Sequence, residues 1–147
     1  MTQLEVTGNT IKSAVVRAIH AKYPTVTIYK EQINENIKYP YFMVMVEDFT
    51  ERKLIKENYL QTFIISIYYQ YKDDTETSYT NLNQIGYELS DCLNIVELDN
   101  KELLRGSNKN WYPRNKELEF YINYSIKVYK PQSTVKQLHL STDIYHK

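Results

Sequence analysis

The chain has 147 residues, in which 18 Lys and Arg balance 18 Asp and Glu and Cys92 is the single cysteine. This length suits one domain that buries about 70% of its unfolded surface, and one cysteine excludes a disulfide within the chain and fits a reducing compartment. Zero net charge disfavours a polyanion-binding domain, and no apolar run reaches the roughly 20 residues that span a bilayer, so composition predicts a soluble intracellular protein with no membrane segment.

The first predicted element is an amphipathic helix over residues 10–23. Asn9 or Thr7 is its predicted N-cap, and Pro24 ends it. Its apolar residues recur at the helical spacing of three and four, and they are Ile11, Ala14, Val15, Ala18, Ile19 and Tyr23.

Three β-strands are predicted next, over residues 25–29, 41–52 and 58–71. The first is short and β-branched. The second has Phe42, Val44 and Val46 on one face and Met43 and Met45 on the other, and the third has one strongly apolar face and one mixed face. A charged segment, 51–57, separates the second and third strands, which therefore form a long hairpin.

A second helix is predicted to follow Asp73 and Asp74, with Asp74 as N-cap and Glu76 in the first turn. Gly86 lies inside its apolar stripe and weakens a helix by about 1 kcal/mol relative to Ala, so it predicts close packing against the sheet. The stripe comprises Tyr79, Leu82, Ile85, Gly86, Leu89, Cys92 and Leu93.

A brief strand over 95–98 and a second hairpin, 103–112 and 117–129, complete the predicted domain. The last strand alternates cleanly, which indicates one core face and one face that is wet or an interface. We predict an α+β fold: a mainly antiparallel sheet with two helices packed on one face, plus an extended C-terminal arm. The predicted domain covers 1–130 and the arm 131–147, in which the spacing of Leu138 and Leu140 permits one short added strand and which could order against a neighbouring chain.

The residues offer little catalytic chemistry. His20, His139 and His146 fit solvated surface positions, and Cys92 lies on an apolar stripe where a buried thiol is expected. Only three glycines are present, so no glycine-rich phosphate loop exists. We predict a protein that is not an enzyme, with no catalytic residues, no cofactor and no metal site.

Fifteen tyrosines against four phenylalanines favour contacts with other proteins, because Tyr combines a large apolar ring with a hydroxyl. A nucleic-acid-binding patch is the competing hypothesis. It would use the aromatic and basic residues Lys109, Trp111, Tyr112, Arg114 and Lys116. A charged hairpin tip with one anchoring Trp explains the same segment better, because Glu117 and Glu119 follow at once and dilute its positive field.

An ordered set of short motifs resembles the phage tail terminator family of contractile-tailed phages and phage-tail-like particles. The motifs are IYKE at 28–31, PYF at 40–42 before the long hairpin, and LLRGSN at 103–108 before the alternating last strand. The resemblance runs from the first helix to about Lys130.

The resemblance implies a structural virion protein at the neck end of the tail, assembled in the host bacterial cytoplasm. Such a protein forms a ring, typically a hexamer, that caps the tail tube, ends polymerisation and meets the head. Implied partners are copies of itself, tube and sheath proteins, and the head-tail connector or neck protein. Nucleic acid enters this picture only as DNA passing through the ring. Another neck or tail-completion protein, or a nucleic-acid-binding module, remains the alternative.

Interface residues are predicted from the general enrichment of Arg, Trp and Tyr at the centres of protein interfaces. The candidates are Arg105, Trp111, Tyr112, Tyr121 and Tyr129.

Overall fold

A computed structural model describes residues 6–30, 36–72 and 79–131. Two helices and six strands occur in these residues. In chain order they are α1 (Gly8–Lys22), β1 (Thr27–Tyr29), β2 (Tyr41–Lys53), β3 (Asn58–Gln70), α2 (Tyr79–Cys92), β4 (Ile95–Glu97), β5 (Leu103–Arg114) and β6 (Glu117–Tyr129).

The strands form one sheet in the order β1-β2-β3-β6-β5-β4. Every neighbouring pair is antiparallel except β1 and β2, which are parallel. Both helices pack on one face of this sheet, so the predicted α+β fold is confirmed. The helix α1 contacts both β2 and β4, because the sheet curls around it.

The core lies between the helices and the central strands β3 and β6. Ile65 and Ile122, which are register partners, are fully buried, and so are Val15 of α1 and Leu89 of α2. Each such side chain contributes about 1.5–3 kcal/mol when it leaves water. The alternation predicted for β3 and β6 places their core-facing residues correctly.

The first helix begins two residues earlier than predicted, because Thr7 is its N-cap. The Thr7 side chain accepts a hydrogen bond from the backbone N–H of Thr10, and Thr10 Oγ1 accepts one from the N–H of Thr7. This reciprocal pair satisfies two N–H groups that the first turn leaves free. The helix ends at Lys22, and Pro24 follows, as predicted.

One irregularity in β2 was not predicted. The register with β3 shifts between Val46 and Asp48, so Glu47 is an extra residue on the β2 side. Strict alternation would place Asp48 on the helix side, but the bulge places Phe49 there instead. The Phe49 ring packs on Phe63 with 4.9 Å between ring centroids.

The remaining predicted elements occur with small changes of length. β1 begins at Thr27 instead of residue 25, and β4 ends at Glu97 instead of residue 98. The predicted N-cap Asp74, Glu76 and the arm after Pro131 lie outside the described residues. None of the helices in the described part of the chain is long and apolar enough to cross a bilayer.

Candidate functional site

The face of the sheet opposite the helices, here called the outer face, carries tyrosines at its centre. In one cross-strand row, Tyr68 of β3 lies opposite Glu119 of β6, which lies opposite Tyr112 of β5. In the next row, Ser66 lies opposite Tyr121. Residues opposite each other on one face are in contact range, so these side chains meet.

Two carboxylates connect these side chains across four strands. Glu119 accepts hydrogen bonds from Arg114 Nε at 2.7 Å and from the Tyr121 hydroxyl at 3.2 Å. Glu47, the bulge residue of β2, accepts from Ser66 Oγ at 2.9 Å and from the Tyr68 hydroxyl at 3.0 Å. The bulge thus gives the outer face a hydrogen-bond acceptor at its β2 side.

The aromatic rings of this face also contact each other. Tyr121 meets Tyr68 and Tyr112 edge to face, with centroids 6.4 and 6.2 Å apart, and the Arg114 guanidinium lies 5.7 Å from the Tyr112 ring centre. We call Tyr68, Tyr112 and Tyr121, with Glu47, Glu119 and Arg114, the tyrosine network. Tyr112 remains 47% exposed, so the network has an aromatic surface that is open to solvent.

The hydroxyl of Tyr121 stays protonated in this setting. Its contact with the Tyr68 hydroxyl, then burial, then the charge of Glu119 raise the pKa of Tyr121 above its ordinary value. The two hydroxyl oxygens are 3.5 Å apart. Since each hydroxyl has one proton and a carboxylate beside it, the carboxylate contacts are the shorter and stronger bonds.

An open groove of about 650 Å³ adjoins the network on the β5 side. Ile64 lies in its floor, and the side chains around it are mostly amides and aromatic rings. The lining residues are Asn108, Lys109, Asn110, Tyr112, Tyr121 and Asn123. Amides donate and accept hydrogen bonds, so the groove suits a polar surface loop or peptide of another protein.

Four of the five predicted interface residues lie on the outer face or at its ends. Tyr112 and Tyr121 belong to the network. Tyr129 lies at the end of β6, opposite Asn58, and is 65% exposed. Arg105 is exposed on β5, opposite Ile95 of β4. Their contacts with another chain remain predictions.

Trp111 lies on the helix side instead. Its ring stacks on Phe120 at 5.7 Å between centroids, and its Nε1 donates to Asn83 Oδ1 of α2 at 3.2 Å. Gly86 of α2 lies directly against the indole, where a Cβ atom would be 2.5 Å away. The packing role predicted for Gly86 is therefore confirmed, and these contacts make Trp111 an anchor between α2 and β5.

The same geometry weakens the nucleic-acid hypothesis. Phe120 already stacks on the Trp111 ring, and the Lys109 ammonium donates to Ser90 O and Asn94 Oδ1 at 3.0 and 2.8 Å. A stacking, phosphate-contacting patch needs open rings and free cations. The alternative of a charged hairpin with one anchoring Trp fits the structure better.

Sequence reasoning did not single out two exposed apolar side chains at the far end of the sheet. Leu103, opposite Glu97, is 64% exposed, and Ile95, opposite Arg105, is also exposed. The signal was present in the pair Leu103-Leu104, because adjacent strand residues point to opposite faces and only one of them can enter the core. Leu104 is the buried one.

Reactive groups are scarce in the described residues. Burial, the largest influence, raises the pKa of Cys92 to about 11, which disfavours the reactive thiolate. The described ranges contain no cluster of three or more His, Cys, Asp or Glu side chains that could hold a metal ion.

These features define a class: a small α+β protein whose sheet has an ordered aromatic outer face. A family model described as "Phage tail terminator protein" matches residues 10–136, and the chain belongs to that family. The resemblance predicted from the motifs is confirmed, and the match extends past residue 130. The protein thus has a structural role in the phage tail, where it interacts with other tail proteins.

Other comparisons add little. No curated protein sequence matches the chain significantly. One solved structure, whose title states no function, aligns over 88% of this chain and 99% of its own, with 11% identity and a TM-score of 0.43. A similarity of that size carries no functional argument.

Proposed function

We propose that this chain forms a ring that caps the head-proximal end of the tail tube, ends tail polymerisation and provides the surface that joins the head. The ring is hexameric, as the family resemblance implies. Its partners are neighbouring copies, the tube protein, the sheath protein in a contractile tail, and the connector or neck protein. The protein assembles in the host cytoplasm and performs no chemical reaction. Family membership over residues 10–136 is the observation that carries this proposal.

The outer face has the size that a stable contact needs. Strands β2, β3 and β6 each have 13 residues, and β5 pairs with β6 over residues 106–114. At about 3.3 Å per residue and about 4.8 Å between strands, this face covers roughly 750 Å². A standard interface buries about 800 Å² on each partner, so the outer face supplies almost one partner's share.

The tyrosine network favours binding because its side chains are already ordered. Immobilising a flexible side chain at an interface costs about 0.5–1.5 kcal/mol. Tyr121 is held by Glu119 and Tyr68 before any partner arrives, and Arg114 is held by Glu119. Rings held in this way lose little further freedom on binding, so more of the contact energy appears as affinity.

A ring of identical subunits has two different sides, which explains how it would stop growth. One side reproduces the surface that a tube subunit offers to the growing end, and the other side does not. Omission of a matching surface prevents the next tube ring from binding. Contacts between neighbouring subunits are head to tail, and they close into a ring when the rotation between subunits closes.

Deletion of the gene tests the proposal directly. We expect tails of uncontrolled length in electron micrographs of the deletion strain, restored to one length by the wild-type chain. A labelled copy should appear at the head-proximal end of each tail. Tails of normal, uniform length in the deletion strain would refute the proposal.

Substitutions on the two sides of the sheet test the role of the outer face. Tyr112→Ala should weaken capping at least about thirtyfold, because a hot-spot residue contributes about 2 kcal/mol or more. Tyr87→Ala is the matched control, because Tyr87 is a 60% exposed tyrosine on the helix side. It should leave tail length unchanged. Equal effects of the two variants, with equal thermal stability, would place the contact elsewhere.

A further inference from the structure

The sheet has a long open edge along β2. β1 pairs with β2 only at residues 41–43, and within the described ranges no strand pairs with that side of residues 44–53. Residues 47–53 have exposed side chains. An edge of this kind offers a row of backbone N–H and C=O groups to another strand.

An apolar site adjoins this edge on the helix side. Phe49 is 48% exposed, although its ring packs on Phe63. The helix α1 covers β2 only as far as Val46, where a Cβ atom on Gly8 would lie 3.2 Å from the Val46 side chain. An added strand with apolar residues on its helix-facing side would therefore bury Phe49.

The chain carries a suitable strand sequence after Pro131. Residues 137–144 read QLHLSTDI, in which three of the four even-numbered positions are apolar (Leu138, Leu140 and Ile144) and the fourth is Thr142. Alternation of this kind is typical of a strand with one buried face, and Thr is a favoured residue in strands. Eight residues also match the open edge, which has ten.

The C-terminal segment leaves the domain at the end of the sheet where residues 50–53 of that edge lie. β6 ends at Tyr129 beside β3, and three contacts hold the next residue there. The Lys130 N–H donates to Glu57 O at 2.8 Å, its Nζ contacts Glu51 Oε1 at 2.5 Å, and the Nζ lies 5.2 Å from the Tyr59 ring centre. The exit therefore lies near residues 50–53, with β3 and β2 between it and the open edge.

We propose that residues 137–144 of each subunit add as a strand to the open edge of β2 in the neighbouring subunit. The proposal deepens the proposed function and rests on its ring. Residues 131–136, when extended, span about 20 Å, which is long enough for the segment to leave its own sheet. A head-to-tail ring contact requires two different surfaces on each subunit, and the segment and the open edge of β2 supply them. Strand addition gives affinity through main-chain hydrogen bonds, and the Leu side chains beside Phe49 give specificity.

The competing explanation is that the edge is protected from any pairing. Bulges and charged residues serve that purpose in many sheets, and β2 has a bulge at Glu47 and the charges of Arg52 and Lys53. The two explanations differ in whether another strand lies beside Thr50, which is an edge residue of the outer face.

Disulfide trapping distinguishes them. In a Cys92→Ala background, Thr50→Cys is combined in turn with Gln137→Cys, His139→Cys and Ser141→Cys, which share one face of the proposed strand. The matched control replaces Thr50→Cys with Thr62→Cys. Thr62 is the register partner of Thr50 on the same face, but it lies one strand inside the edge. Disulfides need Cα atoms within about 7 Å, so the control should cross-link about tenfold less.

The oxidised samples are run on non-reducing denaturing gels, from whole lysates of the producing cells and from purified tail particles. A ladder of linked subunits with Thr50→Cys, and not with Thr62→Cys, is the expected result. A faster-moving monomer, caused by a link within one chain, would overturn the assignment to a neighbour. Absence of any link specific to Thr50→Cys would overturn the added strand. Absence of the chain from the particles would refute the proposed function, whatever the lysate shows.

Discussion

The contact between Gly86 and Trp111 predicts that Gly86→Ala destabilises the protein, whereas the same substitution stabilises it once Trp111 is replaced by Leu. A Cβ atom at position 86 would lie 2.5 Å from both Cδ1 and Nε1 of Trp111 and 2.8 Å from its Cε2. The ring has little room to retreat, because Phe120 stacks on it, Tyr87 packs at an angle of 75° and Asn83 accepts its N–H. Gly86→Ala must therefore displace the anchor between α2 and β5.

The magnitude follows from two opposing effects. Overpacking a core contact costs about 1–3 kcal/mol, and a rigid, pinned ring favours the upper half of that range. Ala in place of Gly stabilises a helix interior by about 1 kcal/mol. The net result is a loss of about 1–2 kcal/mol in the free energy of unfolding. In a Trp111→Leu background the clash is removed, and Gly86→Ala should stabilise the protein by about 0.5–1 kcal/mol.

Urea unfolding followed by far-UV circular dichroism measures all four proteins of this double-mutant cycle. The expected coupling energy is about 2 kcal/mol, within the range for residues in contact. Trp111 is the only tryptophan, so Gly86→Ala should also shift its fluorescence emission to longer wavelength. The same effect of Gly86→Ala in both backgrounds would refute the assignment of Trp111 as the anchor.

Two further predictions concern buried groups. Tyr124→Phe removes the hydroxyl that donates to Leu93 O at 2.7 Å. It should lower the free energy of unfolding in urea by about 1–2 kcal/mol, because the carbonyl is left unpaired. Tyr129→Phe, at an exposed site, should cost almost nothing, and equal losses would contradict the prediction. Burial raises the pKa of Cys92 from 9.0 to about 11 in the folded protein. Between pH 9 and 11 the unfolded chain therefore loses a thiol proton that the folded chain keeps, so the stability present below pH 9 is lost over this range. Cys92→Ala should flatten that part of the pH–stability curve, and an unchanged slope would contradict the prediction.

The elements with strong apolar periodicity were predictable from the sequence. The stripe of α1 and the alternation of β6 each depend on many residues that agree, so local pattern alone identifies them. The two hairpins followed from polar tips between alternating strands. Boundaries shifted by one or two residues, because caps such as Thr7 depend on geometry that several nearby side chains can supply.

The candidate site was only partly predictable. The bulge at Glu47 decides which way Phe49 faces. Its only trace in the sequence is that Phe49 is out of phase with Phe42, Val44 and Val46, and one apolar residue among polar ones does not distinguish a bulge from an exposed ring. Tyr68 and Tyr121 are 53 positions apart in the chain, so their pairing needs the sheet register. Trp111 was predicted as an interface residue from its residue type alone. Residue type carries no information about the face of the sheet on which a side chain lies.

The two proposed contact surfaces lie on different parts of one sheet and offer different chemical groups to a partner. The tyrosine network lies where four strands are paired, so its backbone is already hydrogen-bonded and only side chains are offered to a partner. The open edge of β2 begins after the three residues that pair with β1, and there the backbone N–H and C=O groups themselves are offered to a partner. Side-chain contacts tolerate replacement of the partner, whereas an added strand fixes direction and spacing. We therefore expect edge pairing to set the geometry between identical subunits and the outer face to meet the proteins of the tail.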